Sequence, residues 1–189
     1  MFRRIAILYL FISILCSCAS YNKTTSVIIG SKYDEETNLT NCFIIPYGSV
    51  FLKGEWQKWK YVENSHQQFF INSDSIYISI KISPINKNFE FNQDGSKTGF
   101  NFVKAYYEWD TDYILSQIQN LNRETIETDT TNRILIYRLF KKDDIHDINN
   151  YFLAAEKNGN FILLTESDKD IWSRDYKIQF LKDIYSTYK

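Results

Sequence analysis

The chain has 189 residues, of which 17% are aromatic and 24% are charged. Its 22 basic and 23 acidic side chains nearly cancel, and no basic tail stands out, so nucleic acid is not expected as a partner. The six glycines are scattered singly, and the sequence contains neither an HExxH motif nor paired cysteines. We therefore expect no catalytic residue, no cofactor and no metal.

Residues 1–17 have the composition of an export signal. Arg3 and Arg4 stand at the start, and an apolar run follows from Ile5 to Leu15. A cationic start with an apolar core of this length is typical of a secretory signal, whereas a membrane-spanning helix needs about 20 apolar residues. We expect this segment to be removed, which leaves 20 basic and 23 acidic side chains and a net charge of −3.

The signal ends in Leu15-Cys16-Ser17-Cys18. This run resembles the lipobox of bacterial lipoproteins, which has an aliphatic residue, two small residues and then the modified cysteine. The resemblance implies that the Cys18 thiol carries a diacylglycerol, that the chain is cut before it, and that the new amine is often acylated as well, for instance with palmitate. One acyl chain binds a membrane only marginally, whereas two or three hold it firmly. The alternative is an ordinary signal that is cleaved near Ala19 or Ser20 and releases a soluble protein.

A tether is predicted over residues 18–26, which are small and polar and show no apolar period. Fully extended, it spans at most about 30 Å, so the following domain stays near the membrane. Lipoproteins of the Bacteroidota that reach the outer surface often carry acidic residues just after the cysteine, and none occurs here. By that resemblance we expect an outer-membrane anchor that faces the periplasm, followed by a single domain over residues 27–189.

The first part of this domain is predicted to form strands. Residues 27–29 and 43–45 are short apolar runs, residues 50–62 are β-prone, and residues 69–71 precede a turn at 72–74. The clearest strand follows, with four isoleucines at alternate positions from Ile76 to Ile82. Period two with one apolar face predicts a half-buried strand, which Pro84 ends.

Cys42 is alone once Cys16 has left with the signal and Cys18 carries lipid, so no disulfide can form within the mature chain. Its neighbours at 43–45 are apolar. This setting favours a buried, inert thiol over a reactive one.

The second part of the domain is predicted to contain two helices with strands between them. Apolar residues recur at helical spacing from about Asn101 to Leu121, and strands are expected at 125–129 and 133–140. Asn158-Gly159 suits a type I′ turn between strands at 150–157 and 161–165.

The last helix is predicted to start at Ser167. The Ser-x-x-Asp spacing of Ser167 and Asp170 resembles a capping box, and an apolar stripe runs from Ile171 to Tyr185.

This order of elements predicts an α+β domain with a single antiparallel sheet and about two packed helices. The run from Asn101 to Asp110 that opens the first helix, and the aromatic residues from Trp172 to Tyr185 in the last one, resemble the PsbP-like fold. The resemblance spans the chain from about residue 43 onward. It implies a non-catalytic accessory protein that binds partners.

Three carboxylates lie among aromatic residues in the first predicted helix: Glu108, Asp110 and Asp112. Glu108 and Asp112 are four residues apart and share a helix face. A pair of carboxylates beside aromatic rings could catalyse glycoside hydrolysis, in which two carboxyl groups flank the scissile bond. The solvated side of an amphipathic helix has the same pattern, and we favour that interpretation.

Residues 141–147 combine two lysines, three aspartates and His146. Aspartates beside a histidine can bind a divalent cation, but the run lacks the glycine and distal glutamate of an EF-hand. We favour a solvated connection between strands.

Trp56, Trp59 and Tyr61 form the third group. In a regular strand Trp59 and Tyr61 share one face and Trp56 takes the other. One face could be exposed as a sugar platform or a partner patch. We favour the alternative, in which helices and loops cover both faces.

We therefore predict a non-enzymatic, membrane-anchored cell-envelope lipoprotein that acts as an accessory or interaction module, with an envelope protein as its partner. The alternatives are a glycan- or ligand-binding lipoprotein that uses exposed aromatic residues, and a lipid-anchored hydrolase.

Overall fold

A computed structural model of the chain describes residues 27–62, 65–86, 88–141, 148–167 and 171–189. The signal and tether expected over residues 1–26 lie outside this part. Within the described ranges, the chain forms ten strands and two α-helices in the order β1 to β6, α1, β7 to β10, α2, with a short 3-10 helix at Glu90–Asn92 before α1. None of the helices described there is long and apolar enough to cross a membrane.

The bounds of the elements are as follows: β1 Ile28–Asp34, β2 Leu39–Ile45, β3 Gly48–Lys53, β4 Gln57–Val62, β5 Gln67–Ile71, β6 Tyr77–Pro84, α1 Gly99–Gln117, β7 Asn122–Asp129, β8 Ile134–Lys141, β9 Ile148–Lys157, β10 Asn160–Ser167 and α2 Arg174–Ser186.

The strands form two sheets, so the predicted α+β class with an antiparallel sheet and two helices is confirmed, while the prediction of a single sheet is wrong. One sheet has the order β1-β2-β3 and the other has the order β4-β5-β6-β10-β9-β8-β7. Every neighbouring pair is antiparallel.

The sheets separate within the β-prone stretch at residues 50–62. β3 ends at Lys53, and Gly54 has a φ of 87°, which turns the chain out of the first sheet. Trp56 then packs its ring into the core at 5% exposure and stacks on Phe180 of α2. The chain therefore crosses from one layer to the other at this point.

The seven-stranded sheet is the middle layer of the domain. On one face, the three-stranded sheet and α2 enclose a core that includes Ile44, Ile80, Leu164 and Leu181. On the other face, α1 packs over β8 and β9. α1 connects β6, the third strand of this sheet, to β7 at its far edge.

β6 differs from its prediction because both of its faces are covered. Its isoleucines are fully buried on the side of the three-stranded sheet. The opposite row is also withdrawn from water, since Ser79 is 2% and Ser83 is 8% exposed. The half-buried strand expected from the alternation is thus a central strand with one apolar row and one polar row.

The last helix starts later than predicted. Ser167 is the final residue of β10, where it pairs with Tyr77 and with Asn150, so it does not cap a helix. α2 begins at Arg174, and the side chain of Ser173 accepts a hydrogen bond from the Tyr176 amide. The predicted cap partner, Asp170, lies outside the described residues.

The hairpin of β9 and β10 is confirmed. Asn158 and Gly159 have φ values of 56° and 76°, as a type I′ turn requires, and Lys157 pairs with Asn160.

Candidate functional site

A cleft of about 720 Å³ opens beside the end of β6, on the face of the sheet that carries α1. β5 begins at Gln67, opposite Lys81. Among the described strands, the last residues of β6 therefore have a neighbour only on the β10 side. The cleft passes over this edge and reaches Ile44 and Ile82, which belong to the core between the sheets.

The polar row of β6 forms the floor of the cleft. Alternation along the strand places Ser79, Lys81 and Ser83 on the face toward α1, and the last two line the cleft. The Lys81 Nζ lies 5.2 Å from the centre of the Phe89 ring and 5.9 Å from that of Tyr106. Both distances permit a cation–π interaction, so two aromatic rings hold the ammonium group.

α1 contributes the carboxylate that faces this lysine. Tyr106 and Asp110 are one helical turn apart on α1, and both line the cleft. The positive charge of Lys81 and the Tyr106 hydroxyl both stabilise the ionised form of the Asp110 carboxyl group. The arrangement brings an amine, a carboxylate and a phenol together in one site.

Burial disfavours the charged forms of Lys81 and Asp110. It lowers the pKa of Lys81, and the charge of Asp110 offsets part of that effect. It raises the pKa of Asp110, although Lys81 and the Tyr106 hydroxyl act in the other direction. Burial, reinforced by the Asp110 charge, also raises the pKa of Tyr106 well above its ordinary value, so its hydroxyl stays a donor. Residues with perturbed pKa values cluster at functional sites, so these three residues in a cleft are a candidate site.

Aromatic rings form the wall of the cleft. The ring centres of Tyr106 and Phe161 lie 4.4 Å apart, and those of Trp109 and Phe91 lie 5.6 Å apart. Trp109 nevertheless remains 39% exposed at the mouth. The rings behind it fix its position, so the wall is preformed.

Ser83 provides an unused hydrogen-bonding group in the cleft. The residue is 8% exposed, and its Oγ has no hydrogen-bond partner within the described ranges. Buried hydroxyl groups are normally satisfied, so this buried and unpartnered oxygen in a residue that lines the cleft is unusual.

The rim of the cleft carries amides and two ionisable side chains. Gln67 donates from Nε2 to the Ser79 hydroxyl at 2.7 Å, and the Asn86 side chain accepts from the Asn88 amide at 3.0 Å. His66 and Glu90 are exposed at the rim, and the His66 ring meets the Tyr61 hydroxyl at 2.9 Å.

The three carboxylates singled out in the sequence do not act together. Glu108 is exposed and pairs with Lys104 at 3.8 Å, while Asp112 is exposed and pairs with Arg123. Both lie on the solvated side of α1, as the favoured interpretation expected. Asp110 alone enters the cleft.

Two other candidates from the sequence were Cys42 and the possible cation site at residues 141–147. Cys42 is fully buried, and desolvation raises its pKa, so the thiol is held in its unreactive form. The possible cation site at 141–147 lies outside the described residues except for Lys141. Elsewhere in the described chain, no group of three His, Cys, Asp or Glu side chains could hold a metal ion.

The group of Trp56, Trp59 and Tyr61 is split. Trp56 belongs to the core, whereas Trp59 is 60% exposed. The β4–β5 register shifts between Lys58 and Lys60, so Trp59 stands at a bulge. Its ring lies edge-on against Phe69 and Tyr77, beside a hollow of about 280 Å³. One aromatic face is therefore exposed at Trp59, and the favoured interpretation, in which both faces are covered, is wrong.

Lys81 and Ser83, the floor of the cleft, were not predicted as site residues. In sequence they occupy the polar positions of an alternating strand, which is the pattern of a solvent face. Only the position of β6 inside the sheet reveals that this row is buried.

Comparisons with known proteins bear on the fold alone. No protein-family model and no curated protein matches the chain. Among solved structures, it is similar to the solution structure of cyanobacterial PsbP (CyanoP) from Synechocystis sp. PCC 6803, with 14% sequence identity and a TM-score of 0.45. The match covers 91% of this chain and 98% of that one.

The charge pair of the cleft yields a stability prediction. Asp110→Asn or Lys81→Met alone should lower the free energy of unfolding by about 1–3 kcal/mol, because each leaves a partly buried charge without its partner. The double variant should recover to within about 1 kcal/mol of the parent or exceed it, since both desolvated charges are then absent. Urea denaturation at pH 7 measures all three.

Asp112→Asn is the matched control, because its carboxylate is on the same helix but exposed; it should change stability by less than about 0.5 kcal/mol. Losses that simply add in the double variant would show that Lys81 and Asp110 are not coupled.

Proposed function

We propose that this protein is a non-enzymatic lipoprotein of the cell envelope, anchored through lipid on Cys18, and that its domain acts by binding. The observation that carries the binding part is the preformed cleft with Lys81, Asp110 and Trp109 in its lining. A mixed polar and aromatic concavity of this volume lies within the range of small-ligand sites.

The anchor is supported by the sequence at residues 1–18 and by the spacing that follows. β1 begins at Ile28, about ten residues after Cys18. A connection of that length keeps the cleft within a few tens of ångströms of the bilayer. We place the protein at the outer membrane, facing the periplasm, because no acidic residue follows Cys18 in the tether.

Binding, rather than chemistry, suits the groups that line the cleft. The ammonium of Lys81 is enclosed by two rings, and the Tyr106 phenol is held neutral against Asp110. These contacts fix donors and acceptors in place. A hydrolase mechanism would need a second carboxylate positioned with Asp110. Glu108 and Asp112 are engaged with other side chains on the solvated side of α1, and Glu90, the other carboxylate that lines the cleft, is exposed at its rim.

The anchor is tested by substituting Cys18. The wild-type chain, expressed in a bacterium that processes lipoproteins, should incorporate a labelled acyl chain and sediment with membranes. Cys18→Ala should incorporate no label and keep its signal, because it lacks the thiol that is modified before cleavage. Cys16→Ala is the matched control and should behave as the wild type, since a small residue suffices at that position. Labelling and processing that persist in Cys18→Ala would exclude the anchor and favour ordinary secretion.

A second candidate function, an accessory module that docks on an envelope protein, is favoured by the exposed Trp59. This ring stands on β4, the edge strand of the seven-stranded sheet, where residues 57–60 are all exposed. Exposed tryptophans on a rigid strand are frequent anchors in protein interfaces.

Affinity purification from gently solubilised envelopes tests this docking. A stoichiometric partner should be recovered with the wild type and lost with Trp59→Ser, while Asp110→Asn should retain it. Equal recovery with Trp59→Ser would show that the edge strand is not the docking surface.

A further inference from the structure

The polar groups of the cleft can satisfy a hydroxyl group in two ways at once. The Lys81 ammonium can only donate hydrogen bonds, and an ionised Asp110 carboxylate can only accept them. A ligand hydroxyl does both, so it can accept from Lys81 while donating to Asp110. Ser83 also lines the cleft, and its buried hydroxyl has no partner in the described chain.

The charges inside the cleft offset each other, so they give little net attraction to a ligand of either sign. Lys81 faces Asp110 there, while the negative charge of Glu90 is exposed at the rim. An anion would meet the two carboxylates. A cation would meet Lys81, whose ammonium already occupies the faces of Phe89 and Tyr106. A neutral molecule is free of both penalties.

The wall adds a preference for a molecule with apolar ring faces. Trp109 is 39% exposed at the mouth and is held by Phe91 and Tyr106 behind it. A partly exposed ring that is fixed from behind offers a flat surface at little entropic cost. Sugar rings present C–H groups on one face and hydroxyls around their edge, which matches a flat wall beside a polar floor.

We propose that the cleft formed by Lys81, Ser83, Asp110 and Trp109 is a binding site for a short neutral saccharide. One sugar ring lies against Trp109, and its hydroxyls bridge Lys81 and Asp110. This site is separate from the exposed Trp59 on β4. The inference rests on the binding part of the proposed function and does not depend on the lipid anchor.

The test uses the full lipidated protein in lipid nanodiscs, because glycoside detergents would compete for the site. Calorimetry and saturation-transfer NMR are run with N,N′-diacetylchitobiose and cellobiose as neutral probes. The deacetylated diamine of chitobiose, digalacturonate and glycylglycine serve as cationic, anionic and zwitterionic comparisons. At least one neutral disaccharide should bind saturably, and more tightly than each charged or zwitterionic probe.

Two substitutions on α1 assign binding to the cleft. Asp110→Asn should weaken the affinity for the neutral disaccharide by about tenfold or more, through the loss of a charge-assisted hydrogen bond. Asp112→Asn, on the solvated side of the same helix, should leave it unchanged. A circular-dichroism melt of each variant confirms that the protein is folded at the temperature of the titration.

Three results would overturn the inference. Tighter binding of the diamine, the uronate or the dipeptide would give the site to a charged or zwitterionic ligand. Loss of binding in Trp59→Ser but not in Asp110→Asn would move the saccharide to the edge strand. No saturable binding of any neutral probe by the folded protein would reject the ligand class, while the acyl-labelling result at Cys18 would still decide the anchor independently.

Discussion

The position of β6 in the middle of the larger sheet constrains the rest of the domain. A strand with neighbours on both sides and layers on both faces must bury two rows of side chains. One row is isoleucine and joins the two sheets. The other contains Ser79, Lys81 and Ser83, and a lysine in that position needs a counter-charge and a partly polar environment. Asp110 of α1 and the rings around it supply both.

The cleft follows from how the chain covers this polar row. α1 lies over β8 and β9, so the β5–β6 side of the same face is covered at one end by Phe89 and its neighbours and at the other end by Trp59. Because β5 begins only at Gln67, the end of β6 borders the opening. Replacing buried charges by apolar residues of similar volume is often neutral or stabilising. The charges of this row therefore agree with the binding role that we propose for the cleft.

The sequence predicted local structure better than it predicted layers. Turn chemistry at Asn158-Gly159 and the helical spacing from Phe102 to Trp109 are local signals, and both elements form near the predicted residues. Division into two sheets depends on where Trp56 packs, which is a contact with α2 far along the chain. The start of α2 was misplaced because Ser167 is held in the ladder of β10, which overrides its capping preference. Lys81 was missed because alternation cannot distinguish a solvated row from one buried beneath a distant helix.

The pKa of Lys81 tests the central claim most directly, since the account requires its ammonium to be partly desolvated and held by Asp110. An NMR titration of the ¹³C-lysine-labelled protein, with the Lys81 signal assigned through Lys81→Arg, gives this value. We expect Lys81 to titrate below the exposed lysines, and lower still in Asp110→Asn because the attraction that supports its charge is removed. A Lys81 signal that titrates with the surface lysines and does not respond to Asp110→Asn would contradict the account.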